Sequence, residues 1–230
     1  MNAYVDFDDC LCETARGLAT LCARLFNRPA VAYDAIRAFD LRASFRLDPA
    51  QYETLMAAAH SDDEILAYAP TQNAAETLRS WQASGLATSI VTGRPPSTRD
   101  ASLEWLRRHG FPEIPLVFVD KYNRHASLPN ETIAPLSINE FNALHFDLAI
   151  EDAPAAIELL ARRPNCRVII FARPWNTPRA NCERLASWRD IAAAVGTIGH
   201  RDVGTAGHRD DTSKIPRHPS SPSSLRPAVP

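Results

Sequence analysis

Four short apolar runs that each stop on polar residues constrain this chain more than any other feature. Tyr4-Val5 runs into Asp6, Thr88 to Val91 into Thr92, Leu116 to Val119 into Asp120-Lys121, and Phe146 to Ile150 into Glu151-Asp152. A fifth run, Arg167 to Phe171, follows them. All are continuous rather than alternating, which suits strands buried on both faces of a parallel sheet. Helical patterns separate them. Thr71 to Ser84 leads into the second run, and Ser97 to His109 sets Leu103 and Leu106 on one face and stops at Gly110. Pro154 sits where a first helical turn accepts it, opening Ala153 to Arg162. Strand alternating with helix predicts an α/β domain, a doubly wound, Rossmann-like parallel sheet with its ligand site at the carboxyl ends of the strands.

The spacing predicts an insertion. Thr92 and Lys121 are 29 residues apart, and Lys121 and Glu151 are 30, the length of one βα unit. Asp6 and Thr92 are 86 apart. Residues 13–70 are therefore extra. Ala15, Leu18, Ala19, Cys22, Leu25 and Phe26 follow helical spacing, and Pro49 to His60 offers a second helix. The insert is expected to be a helical cap over the end of the first strand. The expected organisation is a core of residues 1–12 and 71–195, a cap of 13–70 and a tail of 196–230. That tail holds Pro216, Pro219, Pro222, Pro227 and Pro230, a serine cluster at 220–224 and no aromatic residue. Such a composition cannot offset the entropy of ordering, so disorder is expected there.

Charge and cysteine usage narrow the function classes. Lys+Arg 25 against Asp+Glu 27 gives a net charge of −2, which argues against a nucleic-acid partner. No run approaches the ~20 apolar residues of a membrane span. The first residues have neither a cationic head nor a long apolar stretch, so no secretory leader is expected. Five scattered cysteines without a C-x-x-C pair fit reduced thiols, and a cytoplasmic location is expected.

In a doubly wound sheet the polar strand ends converge on one crevice. Carboxylates from two strands, Asp6 and Asp8 on the first and Glu151 and Asp152 on the fourth, can hold Mg²⁺, which prefers hard oxygen ligands. The Thr92 hydroxyl and the Lys121 ammonium suit the non-bridging oxygens of a phosphoryl group. Lys121 and Lys214 are the only lysines of the chain, which makes the one at a strand end more informative. Asp6 is the candidate nucleophile. Asp8, two residues on, is the candidate group to protonate a leaving oxygen and later deprotonate water. Asp9 reads as a turn residue, Cys10 and Cys12 as small hydrophobes, and the histidines show no ligand spacing.

These residues resemble the motifs of the haloacid dehalogenase superfamily of phosphohydrolases. Asp6-Phe7-Asp8 is similar to its first motif, Thr92 to its second, Lys121 to its third and Glu151-Asp152 to its fourth, in order over residues 3–176. The insertion matches its C1-type helical cap. The segments Ile150-Glu-Asp-Ala-Pro154 and Phe171-Ala-Arg-Pro-Trp-Asn176 are similar to its 5′-nucleotidase branch. The resemblance implies Mg²⁺ held by Asp6, the Asp8 carbonyl and an acidic residue of the fourth motif, with Asp6 as nucleophile and Asp8 as acid/base. It also implies a phosphatase, because the second Asp is retained. Two positions depart from the pattern: Asp9-Cys10 stands where Gly-Thr or Gly-Val is usual, and Glu151-Asp152 where Asp-Asp is usual. The second departure leaves the metal ligand open between Glu151 and Asp152.

The implied partner is a small phosphorylated metabolite, with nucleotide, sugar phosphate and phospho-acid all open. Gly93 and Arg94 are expected to bind substrate beside Thr92. In the cap, Phe39 and Phe45 could stack a base, and Arg42 and Arg46 could meet a further phosphate or carboxylate. Two other classes compete. A phospho-accepting receiver module uses an acidic pair, Thr and Lys, but on different strands and without an inserted cap. A catalytically silent scaffold that binds a ligand would keep the fold without turnover.

Overall fold

A computed structural model describes residues 1–121 and 134–196. Six parallel strands form one sheet: β1 (Asn2–Asp6), β2 (Ala87–Thr92), β3 (Leu116–Phe118), β4 (Leu148–Glu151), β5 (Arg167–Phe171) and β6 (Glu183–Leu185). Their order is β3-β2-β1-β4-β5-β6. The chain moves outward one way from β1 to β3 and the other way from β4 to β6, so the order reverses between β1 and β4. That reversal opens a crevice at their carboxyl ends. Register brings the site residues level: Asp6 pairs with Val91 and Val5 with Ile150, so Asp6, Thr92 and Glu151 leave the sheet side by side.

Successive strand residues feed two cores. Val5, Ile90, Ile150 and Ile169 pack on one face with Leu78, Trp105 and Trp188. Tyr4, Val91, Ala149 and Ile170 pack on the other with Phe141, Phe146 and Leu160. Both faces are buried, which is why the runs read as continuous. The first face is covered by α5 (Ala74–Ala83), α6 (Arg99–Arg108) and α9 (Trp188–Gly196), the second by α7 (Ile138–Ala143) and α8 (Pro154–Ala161).

Between β1 and α5 lie α1 (Thr14–Leu25), α2 (Leu41–Phe45), α3 (Pro49–Ala59) and α4 (Asp62–Ala67). Asp48 starts α3 with a capping box: its side chain accepts from Gln51 N and the Gln51 side chain accepts from Asp48 N. These helices build an apolar cluster of their own from Leu18, Cys22, Ile36, Phe45 and Leu55, joined by Trp175 from the other end of the chain. The two passages into and out of the helical segment are paired, with Glu13 N donating to Ala69 O and Thr71 N to Leu11 O, both at 2.8 Å.

The predicted strands and the helices α1, α3, α5, α6 and α8 are present with small shifts. Helix α5 begins at Ala74 rather than Thr71, because Asn73 adopts a left-handed φ of 64°. Among the described residues, four helices and one strand go beyond the sequence reading: α2, α4, α7, α9 and β6. The predicted tail from 197 onward lies outside the described residues, and its first residue, Gly196, ends α9.

Candidate active site

The charged groups at the strand ends form a chain of contacts. The Lys121 side chain is 3 % exposed; its Nζ donates to Asp6 Oδ1 and, at 3.1 Å, to Glu151 Oε2. Glu151 is fully buried and fully engaged. Its Oε2 also accepts from Tyr4 Oη, and its Oε1 accepts from the backbone N of Asp152 and Ala153 at 3.0 and 2.9 Å. Glu151 therefore anchors Lys121 and the start of α8 rather than facing the crevice.

Asp152 takes the other position. Each of Asp6, Cys10 and Asp152 brings a ligand atom within 4.8 Å of the others. Burial, then the Glu151 charge, raises both carboxyls well above the ordinary value; Lys121 opposes the rise at Asp6, and the Asp6 charge adds to it at Asp152. Two buried, mutually repelling carboxylates fit a hard divalent cation, which relieves that repulsion. Cys10 adds a protonated thiol, its pKa pushed up first by burial, and not a hard ligand.

Asp8 is held differently. Arg94 Nε lies 3.1 Å from both of its oxygens and Nη2 2.7 Å from Oδ1, while Thr14 Oγ1 donates to Oδ1 at 2.7 Å. Burial raises the Asp8 carboxyl, but the guanidinium and these hydrogen bonds outweigh it and hold it below its ordinary value. Thr92 Oγ1 accepts from Arg94 N at 3.1 Å and stands 3.5 Å from Asp8 Oδ2. Arg94 completes its set on Ser102 Oγ at 3.1 Å and stacks over Phe7, 4.1 Å from the ring centroid.

A cavity of about 720 Å³ opens above these groups. Asp6, Asp8, Gly93, Arg94 and Asp152 line its floor; Leu18, Phe39, Tyr52 and Met56 of the helical segment line its roof. A second cleft of about 730 Å³ between α5 and α9 contains none of the motif residues. The structure thus brings Asp6, Asp8, Thr92, Gly93, Arg94, Lys121, Glu151 and Asp152 together.

Arg42 and Arg46, expected to meet substrate, do not line this cavity, although the Arg42 guanidinium lies 5.5 Å from the Tyr52 ring centroid. Arg42 is 54 % exposed and ion-paired with Asp40, the residue that caps α2. Arg46 is exposed at the end of α2 in a left-handed conformation. Local carboxylate chemistry claims the first, and helix termination turns out the second.

Asp9 is more than a turn. With φ at 56° its carboxylate accepts from Ala15 N at 3.0 and 3.2 Å, capping α1 from outside, and Arg173 Nε donates to its carbonyl at 2.6 Å. Burial, opposed by Arg173, raises its carboxyl to about 7. Tyr4, Arg173, Trp175 and Asn176 all touch site residues without having been singled out. For the last three the signal was the segment Phe171 to Asn176, which the sequence displays but whose contacts it does not.

Comparisons with known proteins agree with this fold. No curated protein matches the chain. A haloacid dehalogenase family hydrolase from Deinococcus radiodurans, solved with bound phosphate and sodium, has the same fold at 15 % identity and a TM-score of 0.54, covering 86 % of this chain and 96 % of that one. A haloacid dehalogenase-like protein from Agrobacterium tumefaciens gives 16 % identity and a TM-score of 0.54, with coverage of 86 and 98 %. A predicted phosphatase from Clostridium acetobutylicum gives 13 % and 0.53, with coverage of 85 and 98 %. The model of one nucleotidase family matches residues 1–198, which include every described residue. The chain is thus a haloacid dehalogenase-type hydrolase of phosphate monoesters and belongs to the family described as 5′ nucleotidase, deoxy (pyrimidine), cytosolic type C.

Proposed function

We propose that this protein is a Mg²⁺-dependent phosphatase that cleaves a small phosphate monoester through a phospho-aspartate on Asp6, with a nucleoside 5′-monophosphate as the favoured substrate class. The observation that carries the reading is the approach of Asp6 and Asp152 to one another at the end of β1 and β4, with Lys121 on Asp6. Asp6, Asp152 and the Asp8 carbonyl would hold the metal. Bound there, Mg²⁺ supplies positive charge to the transferring phosphoryl group.

The protein groups divide the work. Lys121 and the Thr92 hydroxyl face the non-bridging oxygens and stabilise their charge. An Asp6 oxygen attacks phosphorus, the P–O ester bond breaks, and the leaving oxygen takes a proton from solvent delivered through Asp8. Asp8, now a carboxylate, removes a proton from water; the water oxygen attacks phosphorus and Asp6 is released with inorganic phosphate. The Asp8–Arg94 pair favours the second half, since it stabilises the base form. The helical segment 13–70 acts as a cap that closes over the cavity and keeps bulk water out. Phe39 and Tyr52 on its underside support a leaving alcohol that carries an aromatic base, which is what favours a nucleotide over a sugar phosphate or phospho-acid.

A panel of phosphometabolites, with and without EDTA, tests this reading. Nucleoside monophosphates should release phosphate fastest, EDTA should abolish release, and Asp6→Asn should keep its fold with activity down at least a thousandfold. Turnover of Asp6→Asn within tenfold of wild type would remove Asp6 as nucleophile. No turnover of any phosphate monoester would favour the silent scaffold.

A further inference from the structure

The segment after β5 reaches back over the site. Asn176 Nδ2 donates to the carbonyls of Asp152 and Phe171, each at 2.9 Å, and its Oδ1 accepts from Arg173 N at 3.1 Å and Arg184 Nε at 3.0 Å. That fixes Trp175 next to the exit of β4. Trp175 Nε1 donates to Asp152 Oδ2 at 2.9 Å. Its ring, 8 % exposed, belongs to the apolar cluster of α1–α3 and meets Tyr33 edge-on, with centroids 6.0 Å apart and planes at 76°. One side chain therefore has its polar end on a site carboxylate and its body in the helical segment.

We propose that Trp175 is a positioning residue that couples the helical segment to the metal-side carboxylate: its N–H aims Asp152, and the packing of the helices aims its ring. This rests on the reading that Asp152 holds the metal. An indole N–H only donates, so it favours the ionised form of the carboxylate and fixes one of its two oxygens. Outer partners of this kind commonly change metal affinity by roughly 10–100-fold. Because the ring is held by residues of the helical segment, any change in that packing is transmitted to Asp152 through a single hydrogen bond.

Titration of the full chain with Mn²⁺ alone, followed by calorimetry, separates this role from simple packing. Trp175→Phe keeps a ring in the cluster and removes the donor; it should bind Mn²⁺ roughly 10–100-fold more weakly. Tyr33→Ala loosens the ring without touching the carboxylate and should weaken Mn²⁺ severalfold. In the double variant the Tyr33 effect should vanish, since there is no N–H left to aim. Wild-type affinity in either single variant, or additive losses in the double, overturns the coupling. Should Trp175→Phe fail to fold, Tyr33→Ala alone decides. Absence of Mn²⁺ binding by the wild-type chain would instead overturn the metal reading, and this inference with it.

Discussion

Arg94 clasps Asp8: Nε stands 3.1 Å from both carboxylate oxygens and Nη2 2.7 Å from one of them. The guanidinium is buried while Asp8 is partly open to the cavity, so the pair has a rigid side and a working side. The flat fork sets the plane of the carboxylate, which a point charge cannot do.

Arg94→Lys should therefore keep the positive charge and still impair the enzyme. We expect kcat to fall by roughly tenfold or more, with the KM for an aryl phosphate changed less, because the loss is in the orientation of Asp8. Steady-state kinetics on that substrate check it. A lysine variant with wild-type kcat would show that charge alone is what Asp8 requires.

The neighbouring acidic residues separate into two roles. Asp152→Asn should cost metal affinity at least tenfold and leave folding nearly unaffected, since Trp175 and Asn176 still have an oxygen to donate to. Glu151→Gln should do the opposite. It turns an amide towards the Lys121 ammonium and the Tyr4 hydroxyl and breaks a buried charge pair, at a cost of up to about 3–5 kcal/mol. At about 2–4 °C for each kcal/mol in a chain of this size, the melting temperature should fall by several degrees or more. Paired melting curves and metal titrations of the two variants check the assignment.

That division shows what a sequence carries and what it does not. The β1, β2 and β4 ends were legible because strands buried on both faces read as unbroken apolar runs, and each run stops at a polar residue. β6 was not: it is three residues at the sheet edge, Glu183-Arg-Leu185, with no run to see. The different placements of Glu151 and Asp152 were also illegible, because one residue ends β4 and the next leaves it, and only the contacts of Lys121 and Tyr4 show that Glu151 is the one turned away from the crevice. The pairing of Arg42 with Asp40, two residues before it, was not legible either, because a sequence does not show which charges a short helix turns towards each other.

Asp9 supplies a pH test. An unfolded aspartate titrates at about 3.9, whereas burial raises this one to about 7 in the folded chain. The folded state thus holds the proton more firmly, so the stability it contributes is full below about pH 4 and is lost as pH rises through 7. Asp9→Asn fixes the neutral form, tolerates the left-handed φ and still accepts from Ala15 N. In EDTA the variant should melt with the wild type near pH 4.5 and above it near pH 8. Equal melting at both would mean that Arg173 already offsets the charge.

The roof of the cavity gives the sharpest test of substrate choice. Phe39 and Tyr52 face the cavity, whereas Arg42 is paired with Asp40 and Arg46 is turned out. An aromatic ring stacked against a base is worth about 1–3 kcal/mol, so Phe39→Ala and Tyr52→Ala should each raise KM for a nucleoside monophosphate by roughly tenfold. A minimal aryl phosphate barely reaches the roof, and its kcat/KM should stay within severalfold of wild type. Arg42→Ala and Arg46→Ala should change neither substrate, because neither guanidinium lines the cavity. The ranking of substrates, rather than the rate on any one, is the quantity to measure. If the arginine variants reorder the ranking and the aromatic variants do not, the helical segment meets substrate through a surface other than the one that faces Asp6.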